Sequence, residues 1–386
     1  MKLESGKRKC ESPTCNTTAS ETEIDQRVSL MKLFQYVKAL MPHSLQEFIE
    51  SREPAAASGI EGPEYQRRAL QERQRFADAT EVHDLPPIFH YWSNKFLRPM
   101  LESFGFSNPD QFYVSHIVRK CAAGEVVRCL SIGAGNCDTE VRIGQALLNL
   151  DCSNWSMTCV DLVPEMIERG RAAADAAGVS PYFQFQAVDI NSWDGGGQRF
   201  DIIIANQCLH HFVELESLFD RIAVLMGEQG TFITSDMIGR NGHQRWPETR
   251  VAIDAFWSEL PSAYRFNRQL KRQEDEFLDW DCSTEGFEGI RSQDILPLLC
   301  ERFGFEFFLG FGNLVDPFID RSFGWNFDAE QQWDRDFIDR VHAADDAGLE
   351  ARRLTPTHML AIMTLDKQAE PRTWRGRTPR ESIRSH

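Results

Sequence analysis

The sequence predicts an α/β fold built on a doubly wound, mostly parallel sheet, and three observations carry that prediction. Seven short apolar runs of strand length recur, at 126–132, 156–161, 182–188, 200–205, 231–235, 305–311 and 358–365. Helical patterns separate most of them, which is how parallel strands are connected. The first run ends in Gly133-Ala134-Gly135, a tight turn that leads straight into a helical pattern.

The elements follow in order. Residues 1–27 are rich in Ser, Thr, Glu and Lys and read as a mobile tail. From 28 to 50, Leu30, Leu33, Phe34, Val37, Leu40 and Met41 recur at helical spacing. Residues 55–59 read as a linker, and 64–79 as a very polar helix after Pro63. Pro86 and Pro87 precede another helical stretch, 89–104. Within the alternating region, helices are expected at 139–150, 164–177, 215–226 and 294–303. Pro164 opens the second of these and Gly178 closes it; Ser292 can cap the last, which Gly304 stops. Two stretches, 243–290 and 313–357, break the alternation and read as irregular and aromatic. The arginine-rich end, from 367, reads as a second mobile tail.

Charge and composition narrow the function. With 42 Lys and Arg against 58 Asp and Glu, the formal charge is −16, a poor match to nucleic acid or an anionic membrane surface. No uncharged apolar run approaches the length of a membrane span, and no apolar segment follows the basic N-terminus as a secretory signal requires. The 10 Cys form no CxxC pair and no His stands at a zinc-finger interval. Reduced thiols in a cytoplasmic protein are therefore expected, with no metal site.

The candidate chemistry sits at the ends of the strands. Gly133 permits a sharp turn, Gly135 a close ligand approach, and the following helix offers free N–H groups to an anion. A third Gly at 138 would complete a dinucleotide fingerprint, but Asp138 stands there and would repel a pyrophosphate. Asp161 closes the second strand, where a carboxylate can accept both hydroxyls of an adenosine ribose. Asp189 ends the third, within reach of an adenine amino group, with Ile190 beside it to pack on the ring. Each residue also has a plain reading, as an ordinary turn or a surface acid at a strand end.

These pieces together resemble the class I S-adenosylmethionine-dependent methyltransferases. The matching strings are Leu130-Ser131-Ile132-Gly133-Ala134-Gly135-Asn136, Val160-Asp161, Val188-Asp189-Ile190, the run from Phe200 to Phe212, and Glu301-Arg302-Phe303-Gly304-Phe305. Leu209-His210-His211 is similar to the branch that acts on small molecules. The resemblance implies a Rossmann-like domain over 110–366 with insertions at 243–290 and 313–357, preceded by a helical segment over 28–109. It implies S-adenosylmethionine as cofactor, contacted by Gly133, Ala134, Gly135, Asp161, Leu162, Asp189, Ile190 and Asn206. Two departures stand out. Ser131 occupies a position often acidic in the family, and Cys137 one often glycine. Another acidic side chain or a backbone carbonyl must then meet the cofactor's amine.

The implied reaction is in-line attack by a nucleophile on the sulfonium methyl, which needs alignment and exclusion of water. A hydroxyl nucleophile also needs a base, so His210, His211 and Asp236 are the candidates, with His243 after them. Alternatively, the two histidines pack on the cofactor or cap the next helix. The insertions, with Tyr91, Trp92 and Trp325, could line an acceptor pocket, cover the sheet or form a homodimer surface. The expected activity is O-methylation of a small-molecule acceptor. A nicotinamide-dependent oxidoreductase and a non-catalytic, partner-binding protein are the alternatives. A nucleic-acid methyltransferase is disfavoured by the charge and by Asn206-Gln207-Cys208-Leu209, which lacks the Asn-Pro-Pro-Tyr string.

Overall fold

A computed structural model describes residues 62–77, 84–193, 195–284 and 286–384. The N-terminal tail, the helical pattern at 28–50 and the linker at 55–59 lie outside the described residues.

The strands are β1 (Val127–Ile132), β2 (Trp155–Asp161), β3 (Phe183–Ala187), β4 (Phe200–Asn206), β5 (Met226–Met237), β6 (Gly304–Phe311), β7 (His358–Thr364) and β8 (Arg372–Thr373). They form one sheet in the order β8-β6-β7-β5-β4-β1-β2-β3. All neighbours pair in parallel except those of β7, which runs antiparallel to both β5 and β6. Central strands such as Phe200-Asp201-Ile202-Ile203-Ile204-Ala205 are apolar on both sides because helices cover both faces.

The helices are α1 (Pro63–Ala77), α2 (Pro87–Trp92), α3 (Arg98–Ser103), α4 (Pro109–Cys121), α5 (Asp138–Asn149), α6 (Pro164–Ala176), α7 (Leu215–Leu225), α8 (Pro247–Glu259), α9 (Ser292–Arg302) and α10 (Gln332–Glu350). On one face, α7 and α9 bury Leu218, Phe219, Ile222, Ile295 and Leu299 against Ile203, Phe232 and Phe305. The opposite face carries α4 and α5, with Phe112, Ile117, Ile143 and Leu147 in its core. Strand connections thus place every parallel strand's carboxyl end on one edge, where ligands bind in such sheets.

Four features depart from the sequence reading. The sheet has eight strands rather than seven. The extra one, β8, belongs to the tail expected to be mobile. Its two residues pair with Phe307 and Phe308 of β6, too few for a hydropathy signal. The arginines there are not free cations. Arg377 donates to the Leu349 and Leu354 carbonyls, Arg375 meets Asp346, and Arg384 meets Glu248 and stacks over Trp246. Ending the chain at Asp366 should therefore lower the melting temperature by about 2–3 °C, as loss of roughly 2 kcal/mol of packing would in a chain of this length. Thermal unfolding followed by circular dichroism checks this; an unchanged midpoint would show that the tail contributes nothing.

Next, the irregular stretches hold real helices, α8 and α10. Their buried Ile253, Trp257, Phe337, Ile338 and Val341 pack with Ile88, Trp92, Leu97 and Leu101 of the N-terminal segment. Aromatic density hid the helical spacing. Third, α4 goes unread in the sequence although Asn108-Pro109 is a start signal: Asn108 Oδ1 accepts the Gln111 N–H at 2.9 Å. Fourth, the helical stretch from Pro87 is interrupted by a π turn at Ser93–Leu97. Pro99 follows it and has no N–H to give the preceding turn, which widens the ladder there. Among the described residues, no helix is long and apolar enough to cross a membrane.

Candidate active site

A cavity of about 710 Å³ opens along the carboxyl edge of β1, β2, β4 and β5. Its floor is the glycine turn. Gly133 has φ +61, and a Cβ there would stand 2.7 Å from the Cys208 Cβ, so only glycine fits. Gly135 has φ +54 and donates its N–H to Asp161 Oδ2 at 2.9 Å. Asp161 Oδ1 accepts the Val163 N–H at 2.9 Å. Two backbone donors thus lock this carboxylate at the cavity wall, while burial raises its pKa.

The two departures from the family pattern are compensated. Cys137 adopts a left-handed φ of 58°, which explains a glycine preference at that position. Its sulfur sits over Gly170, where a Cβ would come within 2.6 Å of it. A glycine in α6 has made room for the side chain. At the other position, Ser131 Oγ donates to Glu140 Oε1 at 2.7 Å. A carboxylate thus comes to Ser131 from the first turn of α5. Burial lifts the Glu140 pKa to about 7, and the residue lines the cavity.

Asp189, Ile190, Leu162 and Asn206 also line the cavity. Asp189 is already engaged: Oδ2 accepts the Tyr65 hydroxyl at 2.9 Å, and Oδ1 accepts the Asn191 backbone and side-chain N–H groups. Asn206 accepts from the Tyr113 hydroxyl at 2.9 Å and donates to Thr139.

The cavity is also lined by a cluster of imidazoles and carboxylates. His210 Nδ1 lies 2.6 Å from Asp236 Oδ1. Asp236 is fully buried and its oxygens accept the Cys208, Leu209 and Met237 N–H groups. It does not reach the cavity, so of the three base candidates it is the one that positions another. His210 Nε2 lies 3.5 Å from Glu288 Oε1. Burial alone would lower the pKa of this ring, but Asp236 and Glu288 outweigh it and lift the value to about 10. His211 Nδ1 lies 2.7 Å from Glu72 Oε1, and its Nε2 is 3.8 Å from Glu288 Oε2 with an edge on the cavity. His243 Nε2 is 2.9 Å from Glu288 Oε1.

Trp92, Phe89, Phe311, Ile319 and Leu360 add apolar surface to the cavity lining. Tyr91 and Trp325 do not join it: Tyr91 bonds Asp339, and Trp325 is exposed. Sequence reasoning missed Tyr65, Glu72, Glu140 and Glu288. The first two project from the polar helix α1, whose spacing looks like a solvated face. Glu288 had a local signal, since Gly286 and Gly289, both at φ +64, bracket it in a tight turn.

Residues 130–232 match a family model described as a methyltransferase domain. No curated protein matches the chain in sequence. Among solved structures, the chain is similar to geranyl diphosphate C-methyltransferase from Streptomyces coelicolor A3(2), at 10% identity and a TM-score of 0.41 over 77% of this chain and 98% of that one. A putative sarcosine dimethylglycine methyltransferase from Galdieria sulphuraria aligns at 11% identity and 0.40, over 67% and 85%. An S-adenosylmethionine-dependent methyltransferase from Aquifex aeolicus aligns at 11% and 0.28, over 36% and 71%.

The family match covers the glycine turn, Asp161, Asp189 and the His210 turn, so residues 130–232 hold a methyltransferase domain. The chain is a methyl-transferring enzyme whose cofactor is S-adenosylmethionine.

Proposed function

We propose that this enzyme methylates an oxygen of a small-molecule acceptor held in the cavity between the glycine turn and the histidine cluster. The observation that supports this most is that Asp161, His211 and the apolar residues Trp92, Phe311 and Leu360 line one and the same cavity. A volume of about 710 Å³ suits a cofactor together with a modest acceptor.

The residues fit the cofactor. Asp161 offers its carboxylate to the ribose hydroxyls, and the Gly133-Ala134-Gly135 backbone and Leu162 lie against the sugar. Ile190 packs on the adenine. Asp189, engaged by Tyr65, reaches the base through its second lone pairs or through that hydroxyl. Asn206 borders the cofactor's tail, and Glu140 receives the amine. When bound, the cofactor supplies an electrophilic methyl on a sulfonium.

At the acceptor end, His211 takes the hydroxyl proton: its Nδ1 is oriented by Glu72 and its outer edge is open. His210 is committed to two carboxylates and acts instead on the charge of the site. The apolar lining excludes water from the path of the methyl. The test is incubation of the full-length protein with S-adenosylmethionine and a panel of hydroxylated, amine and carbon-acid small molecules. Demethylated cofactor should accumulate with hydroxylated members; turnover only with amines or carbon acids would overturn the oxygen assignment.

Glu140 leads to a pH dependence. Only its ionised form attracts the amine, and burial puts that ionisation near pH 7. Cofactor affinity should therefore rise from pH 6 to pH 8, by about tenfold at most per pH unit below the pKa. Glu140→Gln should flatten the profile and match the wild type best at low pH. Calorimetric titrations at three pH values decide it; parallel profiles would place the amine elsewhere.

A further inference from the structure

We propose that His210, His243 and Glu288 form a binding site for a divalent transition-metal ion, opening on the acceptor end of the cavity. The sequence carries no metal signature, because these three residues come from separate turns that only the fold brings together. Among the described residues they are the one such group: one ligand atom from each lies within 4.8 Å of the others.

Geometry is the first support. Ligands about 2.1 Å from an ion at tetrahedral angles stand about 3.4 Å apart. The Glu288 oxygen lies 2.9 Å from His243 Nε2 and 3.5 Å from His210 Nε2, close to that spacing before any adjustment. Two imidazoles and one carboxylate suit zinc, iron(II), manganese or cobalt better than magnesium or calcium, which prefer oxygen alone.

The support behind the ligands is the second argument. A metal-bound histidine characteristically gives its other ring nitrogen to a carboxylate, which fixes the ring. His210 does so to Asp236 at 2.6 Å, and three backbone N–H groups hold Asp236 in turn. That arrangement aims Nε2 at the cluster and leaves it no rotamer freedom.

Backbone strain is the third. His243 adopts φ 53°, a left-handed conformation that a non-glycine residue holds only where its surroundings enforce it. Its loop is tied to the Glu288 turn by the Gly242 N–H, which donates to the Gly289 carbonyl at 2.9 Å. A Cβ on Gly289 would stand 3.1 Å from the His243 ring. Two loops are thus pressed together so that His243 and Glu288 meet. A simple ion pair explains this poorly, since one carboxylate faces three imidazoles.

All three ligands line the cavity, so the open coordination positions face the acceptor. An oxygen of the acceptor bound there loses its proton more readily. The metal site itself does not depend on which acceptor is used.

The test uses the untagged full-length protein, freed of metal by chelation and titrated with Co²⁺. The expected result is one Co²⁺ per chain with visible ligand-field absorption, displaced by Zn²⁺. His243→Ala and Glu288→Ala should each weaken binding at least 100-fold, and Asp236→Asn by roughly 10–100-fold through the ring it orients. Binding of demethylated cofactor, measured on the same samples, reports that each variant is folded. A wild-type protein that binds the cofactor but takes up no stoichiometric Co²⁺ would overturn the metal site and leave the methyltransferase reading intact. So would Co²⁺ binding that survives in a folded Glu288→Ala variant. Failure of the wild type to bind the cofactor would instead count against the reading of the Asp161 end.

Discussion

Asp161→Ala should weaken binding of S-adenosylmethionine and of its demethylated product by about 100- to 1000-fold. Hydrogen bonds to a charged group contribute about 1.5–3 kcal/mol each, and a ribose diol makes two. Taken near the low end of those values, losing both costs roughly 3–4 kcal/mol, which is the stated range. The carboxylate also ties Gly135 and Val163 together, so its removal loosens the turn that approaches the cofactor. Asp161→Asn keeps an acceptor oxygen and should fall between the two. Isothermal titration measures each affinity, with circular dichroism to show that the fold survives. An unchanged affinity in a folded Asp161→Ala variant would remove Asp161 from the cofactor site.

His211→Ala should lower kcat by about 100- to 1000-fold while leaving cofactor affinity within a few-fold of wild type. Positioned general bases contribute about this much, and His211 has an edge on the cavity. Glu72→Gln should give a smaller loss, because the imidazole keeps a hydrogen-bond partner but loses a charged one. The measurement is demethylated-cofactor release under saturating cofactor, with the best acceptor from the panel. A drop in cofactor affinity with no change in kcat would instead make His211 a packing partner of the cofactor. Full activity in the variant would move proton transfer to another group.

The two ends of the cavity were not equally legible. At the cofactor end, Gly133, Gly135, Asp161 and Asp189 are visible in sequence because local constraints create them: a strand must end, a chain must turn, and an acid follows the turn. Glu140 escaped notice because its partner Ser131 sits in a strand while Glu140 lies in the first turn of the helix that follows. Only the packing of α5 on β1 brings the hydroxyl to the carboxylate. Cys137 stands out in the sequence as a departure; the structure shows that Gly170, distant in sequence, accommodates it.

At the acceptor end almost everything is tertiary. His210 and His211 are neighbours, yet one is held between Asp236 and Glu288 and the other reaches Glu72 across 139 positions of chain. Their roles diverge through partners that no local pattern announces. The helices α8 and α10 were hidden for a related reason. Their apolar residues pack on the N-terminal segment rather than along the sheet.

The sequence by itself determined the sheet, the glycine turn and the class of cofactor, because alternating hydropathy and turn chemistry act over a few residues. Tertiary structure decided which acids and imidazoles face one another, the eighth strand, and the fate of the C-terminal arginines. Those outcomes depend on side chains far apart in the chain, whose energies exist only once the backbone has brought them within hydrogen-bonding distance.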